Sequence, residues 1–295
     1  MFPSIIIPTY NRLDLLKRVL FSIENQTLAH DSYEVIIVDD GSKDKTSEFV
    51  KKYIENKSWV KYIEQRHLGP AKARNTGIKK ALGDILVFTD SDCVCDREWL
   101  RQITAPYSEN DIIGVVGHTI CPGNNLNPFE HQLPDLDLHR MYPTCNISYK
   151  KEIILKLGGF DESFKYPHNE DVDLAWRALR CGNIIYNKEA IVLHTPTEES
   201  IKNQVLKIRY LVSEFRLKNK HPDMYKKERP ASDNLWRFIY IDCLIKNKVK
   251  TASGPGFLDR YKSPELFFRS FVLHVLRNLY FLLLFPVFYL NRNKK

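Results

Sequence analysis

Six cysteines occur in the 295 residues, but no two of them form a CxxC pair or a zinc-finger spacing. The sequence therefore excludes the common zinc modules. The N-terminus also lacks the basic region and cleavage site of a signal peptide. We therefore expect free thiols in a reducing compartment, which points to a cytoplasmic protein. Cys93 and Cys95 alternate beside a carboxylate pair, where small buried residues are a better interpretation than soft metal ligands.

Two phosphate-binding signatures are also missing. No GxGxxG follows the first predicted strand, which counts against a dinucleotide-binding dehydrogenase. No GxxxxGK[ST] occurs either, which counts against a P-loop nucleotide triphosphatase. A bound diphosphate would therefore depend on a metal ion and on basic side chains, and Lys72 and Arg74 are the nearest candidates.

Long uninterrupted apolar runs are scarce. Residues 279–290 are nearly all apolar, but Pro286 breaks the run. A helix of that length would reach only ~18 Å, against a hydrocarbon core of about 30 Å. Extending it back to Phe271 brings in His274 and Arg277. The sequence therefore predicts no transmembrane span.

Charge is divided unequally along the chain. Residues 1–200 carry 24 Lys and Arg against 29 Asp and Glu, whereas residues 201–295 carry 20 against 7, a net charge of +13. The apolar stretches 235–245 and 266–290 lie in this basic part. Their helices either lie at a membrane surface or pack against the catalytic domain or a second subunit. The charge favours peripheral membrane contact through residues 235–290, at the cytoplasmic face, and an oligomer is also compatible with this composition. Nucleic acid is disfavoured as a partner, because the aromatic residues sit in apolar runs rather than between basic residues.

The first ninety residues alternate between strand and helix patterns. Short apolar runs at 4–8, 35–38, 59–63 and 85–88 predict buried strands, with amphipathic helices between them. This alternation predicts an α/β fold with a mostly parallel central sheet flanked by helices. Polar clusters at 9–12, 39–42 and 90–92 follow three of the strands, so they should meet at one edge of the sheet, where such folds bind ligands.

The rest of the chain is less regular. We predict strands at 112–120 and 144–149, helices at 150–157 and 170–181, and a last strand that ends at His194. Residues 121–143 contain four prolines and form a predicted functional loop. The predicted domains are 1–198, which contains the α/β sheet and the polar clusters, and 199–295, a basic helical extension.

Asp90 and Asp92 flank Ser91 directly after a predicted buried strand. Two carboxylates at this spacing can both reach a hard cation such as Mg²⁺ or Mn²⁺. A solvated acidic turn is the alternative for an isolated pair. Asp39 and Asp40 end a neighbouring strand, and four converging carboxylates would repel one another without a cation or hydrogen-bond donors.

Four motifs together resemble glycosyltransferase family 2, whose members have the GT-A fold. They are IIIPTYNR at 5–12, VDDGS at 38–42, GPAKARNTG at 69–77 and DSD at 90–92. The resemblance covers roughly residues 1–195. It implies that Asp39 hydrogen-bonds the base, usually uracil, and that Arg74 lies near the base and diphosphate. It also implies that Asp90 touches the ribose or donor sugar. The implied site comprises Pro8, Thr9, Arg12, Asp39, Arg74, Asp90 and Ser91 for the nucleotide sugar, and Asp92 for the metal.

The segment NEDVDLAWR at 169–177 resembles the family's acceptor-side motif. On this basis Asp171 is the expected catalytic base and Glu170 its supporting neighbour, although acids at a helix start are also favoured by the helix dipole alone. Asp173 and Arg177 have the i, i+4 spacing of a structural ion pair. The resemblance also implies that His194 completes the metal site, and imidazole is compatible with manganese.

The expected activity is inverting transfer of a sugar from a nucleotide diphosphate donor, typically UDP-linked, to an acceptor hydroxyl. The acceptor would be a growing polysaccharide, a glycolipid or another lipid-linked or cell-envelope glycan. A metal-dependent nucleotidyltransferase and an inactive nucleotide-sugar-binding scaffold are the alternatives. The first would need a glycine-rich first loop with a lysine, which residues 9–12 do not provide.

Overall fold

A computed structural model describes residues 1–109, 111–121, 130–131, 141–198, 206 and 209–229. Contacts between Cα atoms divide the chain into two compact units. The first comprises Met1–Pro122 and Gln132–Thr197, and the second Gly123–His131 and Glu198–Lys295. The predicted boundary at 198 stays a prediction, because most of the extension lies outside the described residues.

Strands and helices alternate through the first unit, as the sequence predicts. The described strands are β1 (Pro3–Thr9), β2 (Glu34–Asp39), β3 (Val60–Glu64), β4 (Ile85–Phe88), β5 (Cys93–Cys95), β6 (Ile112–Ile120), β7 (Glu130–His131), β8 (Ile147–Lys150), β9 (Asn183–His194) and β10 (Thr197–Glu198). The helices are α1 (Leu13–Glu24), α2 (Thr46–Ile54), α3 (Pro70–Lys80), α4 (Trp99–Thr104), α5 (Lys151–Lys156), α6 (Glu170–Ala178), α7 (Tyr210–Lys220) and α8 (Pro222–Glu228).

The central sheet has eight strands in the order β3-β2-β1-β4-β8-β6-β9-β5. The first four strands of the chain are parallel to one another, and β6 is parallel to β9. Strand β8 runs antiparallel to both β4 and β6, and β5 runs antiparallel to β9. The mostly parallel sheet flanked by helices is therefore confirmed. Strands β7 and β10 pair separately.

The sheet is buried on both faces, which explains the continuous apolar runs of its central strands. Ile5 and Ile7 of β1 join one cluster, with side chains of α1, α2 and α4. Ile6 lies between them in sequence and joins the opposite cluster, with side chains of α3, α5 and α6. Successive residues of one strand thus hold the two helical layers in place.

Several short elements escaped the sequence prediction, among them β5 and α4. Strand β5 has only three residues, and α4 has six. Strand β9 begins at Asn183, well before the predicted apolar end, because its first half is largely exposed or half-buried and carries little apolar signal. Strand β8 begins at Ile147 rather than at 144, because residues 144 and 145 form a turn.

Asn146 fixes the junction of three elements in this region. It is fully buried, and its Oδ1 accepts a hydrogen bond of 2.8 Å from the indole Nε1 of Trp99. Its Nδ2 donates to the carbonyls of His118 and Ala190, at 3.0 and 2.9 Å. The register of β6 against β9 shifts beside Gly117, where a Cβ would collide with the Asn146 side chain. The amide therefore satisfies backbone groups at a β-bulge.

The second unit contains the helices α7 and α8. The two helices are separated at His221, and Pro222 is the first residue of α8. A backbone N–H at that position would have no partner within the helix, so its absence in proline does not destabilise the helix. Buried Glu214 accepts hydrogen bonds from the Tyr225 hydroxyl and from Arg229. No helix within the described residues is long and apolar enough to cross a membrane. The segment 235–290 lies outside them.

Candidate active site

The polar clusters gather at the carboxyl ends of the parallel strands, as predicted. Strand β1 ends at Thr9, β2 at Asp39, and β4 just before the segment that contains Asp90 and Asp92. Asp40 N donates to Thr9 O at 2.9 Å, and Arg12 reaches Asp92 across 80 positions of sequence. Antiparallel pairing of β5 with β9 sets Cys93 opposite His194, which brings the histidine to the same edge.

Asp39 lies in the predicted nucleoside pocket and is already partly engaged. It is buried, its Oδ1 accepts the backbone N–H of Ser42 at 2.8 Å, and its Oδ2 accepts the Tyr62 hydroxyl at 2.7 Å. A further hydrogen-bond donor can therefore use only the remaining lone pairs of these oxygens. Tyr62 holds the carboxylate in one orientation. Pro8 and Thr9 lie beside Asp39 at the end of β1, Pro8 half-buried and Thr9 buried.

Asp40 has a structural role instead. Its carboxylate accepts hydrogen bonds from Gln65 Nε2, Leu68 N and Gly69 N, at 2.6 to 2.9 Å. These contacts fix the loop that leads into α3. The His67 ring stacks on Tyr10, with 4.0 Å between the ring centroids. Tyr10 and His67 were not predicted as site residues, since their stacking depends on two loops far apart in sequence.

Asp92 stands between a guanidinium and an imidazole. Its Oδ2 accepts a hydrogen bond of 2.7 Å from Arg12 Nη1, and its Oδ1 lies 3.6 Å from His194 Nε2. Asp92 and His194 are buried, whereas the Arg12 side chain is 40% exposed. Ser91 is buried between the two acids of its motif. Arg12 thus meets the predicted metal ligand directly.

The donor set fits a hard or borderline cation that takes further ligands from phosphate and water. A carboxylate oxygen and an imidazole nitrogen are both compatible with Mn²⁺, and a carboxylate with Mg²⁺. Within the described residues, no cluster of three or more histidine, cysteine or acidic side chains forms a complete protein cage. Burial raises the pKa of the Cys93 thiol well above its usual value, so the thiol is neutral in the protein as it stands.

Arg74, which the family resemblance placed near the base and diphosphate, lies between two acidic side chains. Its guanidinium is buried, with Nη2 2.8 Å from Asp90 Oδ1 and Nη1 2.9 Å from Glu170 Oε1. Asp90 and Glu170, 80 positions apart in sequence, are therefore joined through a single side chain. Lys72, the other basic candidate, pairs with Glu162 at 3.0 Å.

Glu170 and Asp171 start α6 after Asn169, whose φ of 70° turns the chain sharply into the helix. Burial, and then the charge of Asp171, raises the pKa of Glu170 to about 7, although Arg74 acts in the opposite direction. Glu170 Oε2 accepts no hydrogen bond from the described residues. Asp171 is half-buried, and its Oδ1 accepts the N–H of Val172 at 2.8 Å.

Asp173 and Arg177 form the predicted i, i+4 ion pair, at 2.8 Å. Arg177 also donates to the carbonyls of Leu157 and Gly159, at 2.9 and 2.8 Å. These two carbonyls frame the Gly-Gly turn that follows α5. The pair therefore ties α6 to that turn, and its role is structural as expected.

Asn75 holds the other side of the same turn. Its Oδ1 accepts Phe160 N, and its Nδ2 donates to Phe160 O, both at 2.8 Å. Gly159 has a φ of 77°, and a Cβ there would lie 2.5 Å from the Asn75 amide. Sequence reasoning did not predict this contact, although Asn75 directly follows Arg74 in the third motif.

Acidic side chains, a histidine and two arginines at the carboxyl edge of a mostly parallel α/β sheet are typical of a glycosyltransferase with the GT-A fold. Residues 4–169 match the family model described as glycosyl transferase family 2. The match covers more than half of the chain, and the chain belongs to that family.

Curated relatives agree with this assignment. The chain is 29% identical over 262 residues to validoxylamine A glucosyltransferase of Streptomyces hygroscopicus subsp. jinggangensis, covering 75% of this chain and 61% of the relative. It is 26% identical over 284 residues to hyaluronan synthase of Pasteurella multocida, covering 78% of this chain and 28% of that protein. The chain thus spans less than two thirds of the length of these relatives.

Solved structures share the fold. TarS of S. aureus in complex with UDP matches with a TM-score of 0.55 and 25% identity, covering 73% of this chain and 65% of that one. The mannosyltransferase PcManGT of Pyrobaculum calidifontis, in complex with GDP-Man and Mn²⁺, matches with a TM-score of 0.63 and 17% identity. That alignment covers 94% of this chain and 86% of PcManGT, and at this identity it shows the fold alone.

Proposed function

We propose that the chain is an inverting, metal-dependent glycosyltransferase that uses a UDP-sugar. The observation that carries the proposal is the continuous arrangement of Asp92 with His194, Asp90 with Arg74, and Glu170 with Asp171. It offers a cation site at one end and a carboxylate base at the other. UDP is preferred as the nucleotide because the UDP complex of TarS is a neighbour at 25% identity.

In the proposed reaction, Asp171 accepts the proton of the acceptor hydroxyl while the acceptor oxygen attacks the anomeric carbon. The bond between that carbon and the diphosphate oxygen breaks, and UDP leaves with the bonding electron pair. The carboxylate suits this role because the hydroxyl proton becomes acidic as the new bond forms. A Mn²⁺ or Mg²⁺ ion held by Asp92 and His194 would stabilise the charge of the leaving diphosphate.

On the donor side, Asp39 is proposed to bind the base, with Pro8 and Thr9 lining the pocket. Asp90 and Ser91 are proposed to face the ribose or donor sugar, since the Asp90 side chain is 26% exposed despite its bond to Arg74. Arg12 is proposed to contact the nucleotide once Asp92 binds the cation. The acceptor is proposed to be a polysaccharide, a glycolipid or another cell-envelope glycan.

Calorimetric titration with UDP, with and without Mn²⁺, tests the donor site. We expect wild type to bind UDP in a manganese-dependent manner and Asp92→Asn to lose that dependence. Asp14→Asn is the matched control, because Asp14 is an exposed acid that pairs only with Lys17 among the contacts described. Binding of GDP but not UDP would replace the nucleotide in the proposal, and binding of neither would contradict it.

Turnover tests the acceptor side. A panel of UDP-sugars is incubated with the wild type, and released UDP is measured with water as the acceptor. Asp171→Asn should bind UDP like the wild type but lose turnover by a factor of about 100 or more, the range general base catalysis supplies. Equal turnover of the two proteins would remove Asp171 from the role of base.

A further inference from the structure

Arg74 is placed between the two halves of the site. Its side chain is 5% exposed, and each terminal nitrogen binds a different carboxylate, Asp90 on one side and Glu170 on the other. Asp90 belongs to the segment after β4, and Glu170 is the first residue of α6. Asp171, the proposed base, is the next residue of that helix.

We propose that Arg74 is a positioning residue. It links Asp90 to Glu170 and thereby keeps Asp171 correctly placed relative to a bound donor. It acts through these two carboxylates and makes no contact with the diphosphate. This inference rests on the proposed function and assigns Arg74 a role in it.

The surroundings of Arg74 leave the guanidinium little freedom. Helix α3 packs tightly on β1, since a Cβ on Gly77 would lie 2.6 Å from Ile6 Cγ2. The Phe160 ring lies against the guanidinium, 5.7 Å from its Cζ to the ring centroid. Asn75 in turn fixes the backbone of Phe160 through two hydrogen bonds. The group is therefore held from its helix, from the aromatic ring and from both carboxylates.

The positive charge of Arg74 balances the two acidic side chains that it binds. Burial lowers the pKa of Arg74, but the charges of Asp90 and Glu170 outweigh this and raise it above the usual value. The guanidinium therefore stays charged and offsets two acids in a water-poor site. Its planar fork can reach two carboxylates in different directions, which the single ammonium group of lysine cannot reproduce.

The buried position of Arg74 also argues against a role in binding the diphosphate. Each terminal nitrogen of Arg74 donates one hydrogen bond to a protein carboxylate, and the side chain is only 5% exposed. Arg12, by contrast, is 40% exposed at the same edge and is the arginine that a nucleotide can reach.

The test compares Arg74→Lys and Arg74→Met with wild type. With Mn²⁺ present, the affinities for UDP and UMP are measured by calorimetry, and turnover is measured as UDP release from the UDP-sugar identified in the panel. We expect the ratio of UDP to UMP affinity to stay within about twofold and the donor KM within about threefold, because Arg74 does not touch the diphosphate. The kcat of both variants should fall by about 100-fold, since misplacement of the base removes productive geometry.

A double-mutant cycle with Glu170→Gln distinguishes positioning from general loss of structure. If Arg74 acts through Glu170, the kcat of the double variant is close to that of the more impaired single variant. Arg18→Lys, at an exposed arginine, is the matched control and should leave both affinities and kcat unchanged. All variants are assayed well below their unfolding temperatures, and Arg74→Lys retains the charge if Arg74→Met fails to fold.

Three results would overturn the inference. A fall of more than about tenfold in the ratio of UDP to UMP affinity would make Arg74 a diphosphate ligand. Wild-type kcat in folded Arg74→Lys would show that no fork is needed, while the proposed function would stand. Absence of nucleotide binding by the wild-type protein would remove the proposed function and, with it, the inference.

Discussion

Glu170 combines burial, a neighbouring acid and an arginine partner, and its pKa of about 7 is the net result. In the unfolded chain this group titrates near its ordinary value of 4.5. At pH values between 4.5 and about 7, the Glu170 carboxyl group is protonated in the folded state but ionised in the unfolded state. The stability contributed by this difference is complete below the unfolded pKa and is lost as the pH rises through the folded pKa.

Replacement of Glu170 by glutamine should remove this pH dependence. We expect the free energy of unfolding of wild type, relative to Glu170→Gln, to fall by at most on the order of 3 kcal/mol between about pH 5 and about pH 8. Urea unfolding at a series of pH values measures it. A difference between the two proteins that is constant with pH would contradict the raised pKa of Glu170.

At the residue scale, the sequence predicted where the acids lie but not what they contact. Asp39, Asp90 and Asp92 follow parallel strands, so their convergence was accessible from the strand pattern. The engagement of Asp39 by Tyr62 and of Arg74 by Glu170 was not, because these pairs lie 23 and 96 positions apart in sequence. Such pairings depend on how helices dock on the sheet.

At the scale of elements, Asn146 joins β6, β9 and the segment that carries Trp99. Asn146→Ala would leave one indole N–H and two backbone carbonyls without their partner in a buried site. We expect a loss of about 3 kcal/mol in the free energy of unfolding, since each unsatisfied buried group costs about 1–3 kcal/mol.

Denaturant unfolding of Asn146→Ala and Asn183→Ala checks this value. Asn183 also donates a side-chain hydrogen bond, to Asp111, but it lies exposed at the start of β9. Its replacement should change stability by no more than about 0.5 kcal/mol, as is typical of surface sites. Similar losses for the two variants would show that Asn146 is not a central contact.

The predicted elements differ from the observed ones for identifiable reasons. Strands β1, β2 and β4 are buried on both faces, so apolar runs revealed them. Strand β5 was missed because three residues are too few to show an alternating pattern. Its pairing with β9, which places Cys93 opposite His194, joins segments far apart in sequence. The first half of β9 is similarly hidden, since exposed side chains there outnumber buried ones.

At the scale of the whole molecule, the charge division of the chain gives a test of peripheral membrane contact. Residues 201–295 carry a net charge of +13 and contain the aromatic stretches of 235–290. We expect the full chain to co-sediment with vesicles of phosphatidylcholine that contain phosphatidylserine, and to dissociate at high salt.

Neutral phosphatidylcholine vesicles are the control, and double-stranded DNA added as a competitor tests whether the basic segment prefers another anion. Equal binding to neutral and anionic vesicles would exclude electrostatic attachment. Release from the vesicles by DNA at low concentration would favour nucleic acid as the partner, against the sequence prediction.

The pair formed by Arg12 and Asp92 has a thermodynamic consequence for the binding of metal and nucleotide. In the proposed function, a cation that used both carboxylate oxygens of Asp92 would displace the guanidinium bound to Oδ2 at 2.7 Å. A diphosphate attracts an arginine, and one that draws Arg12 away leaves the carboxylate open. We therefore expect metal and nucleotide to bind cooperatively, each raising the affinity for the other by the same factor.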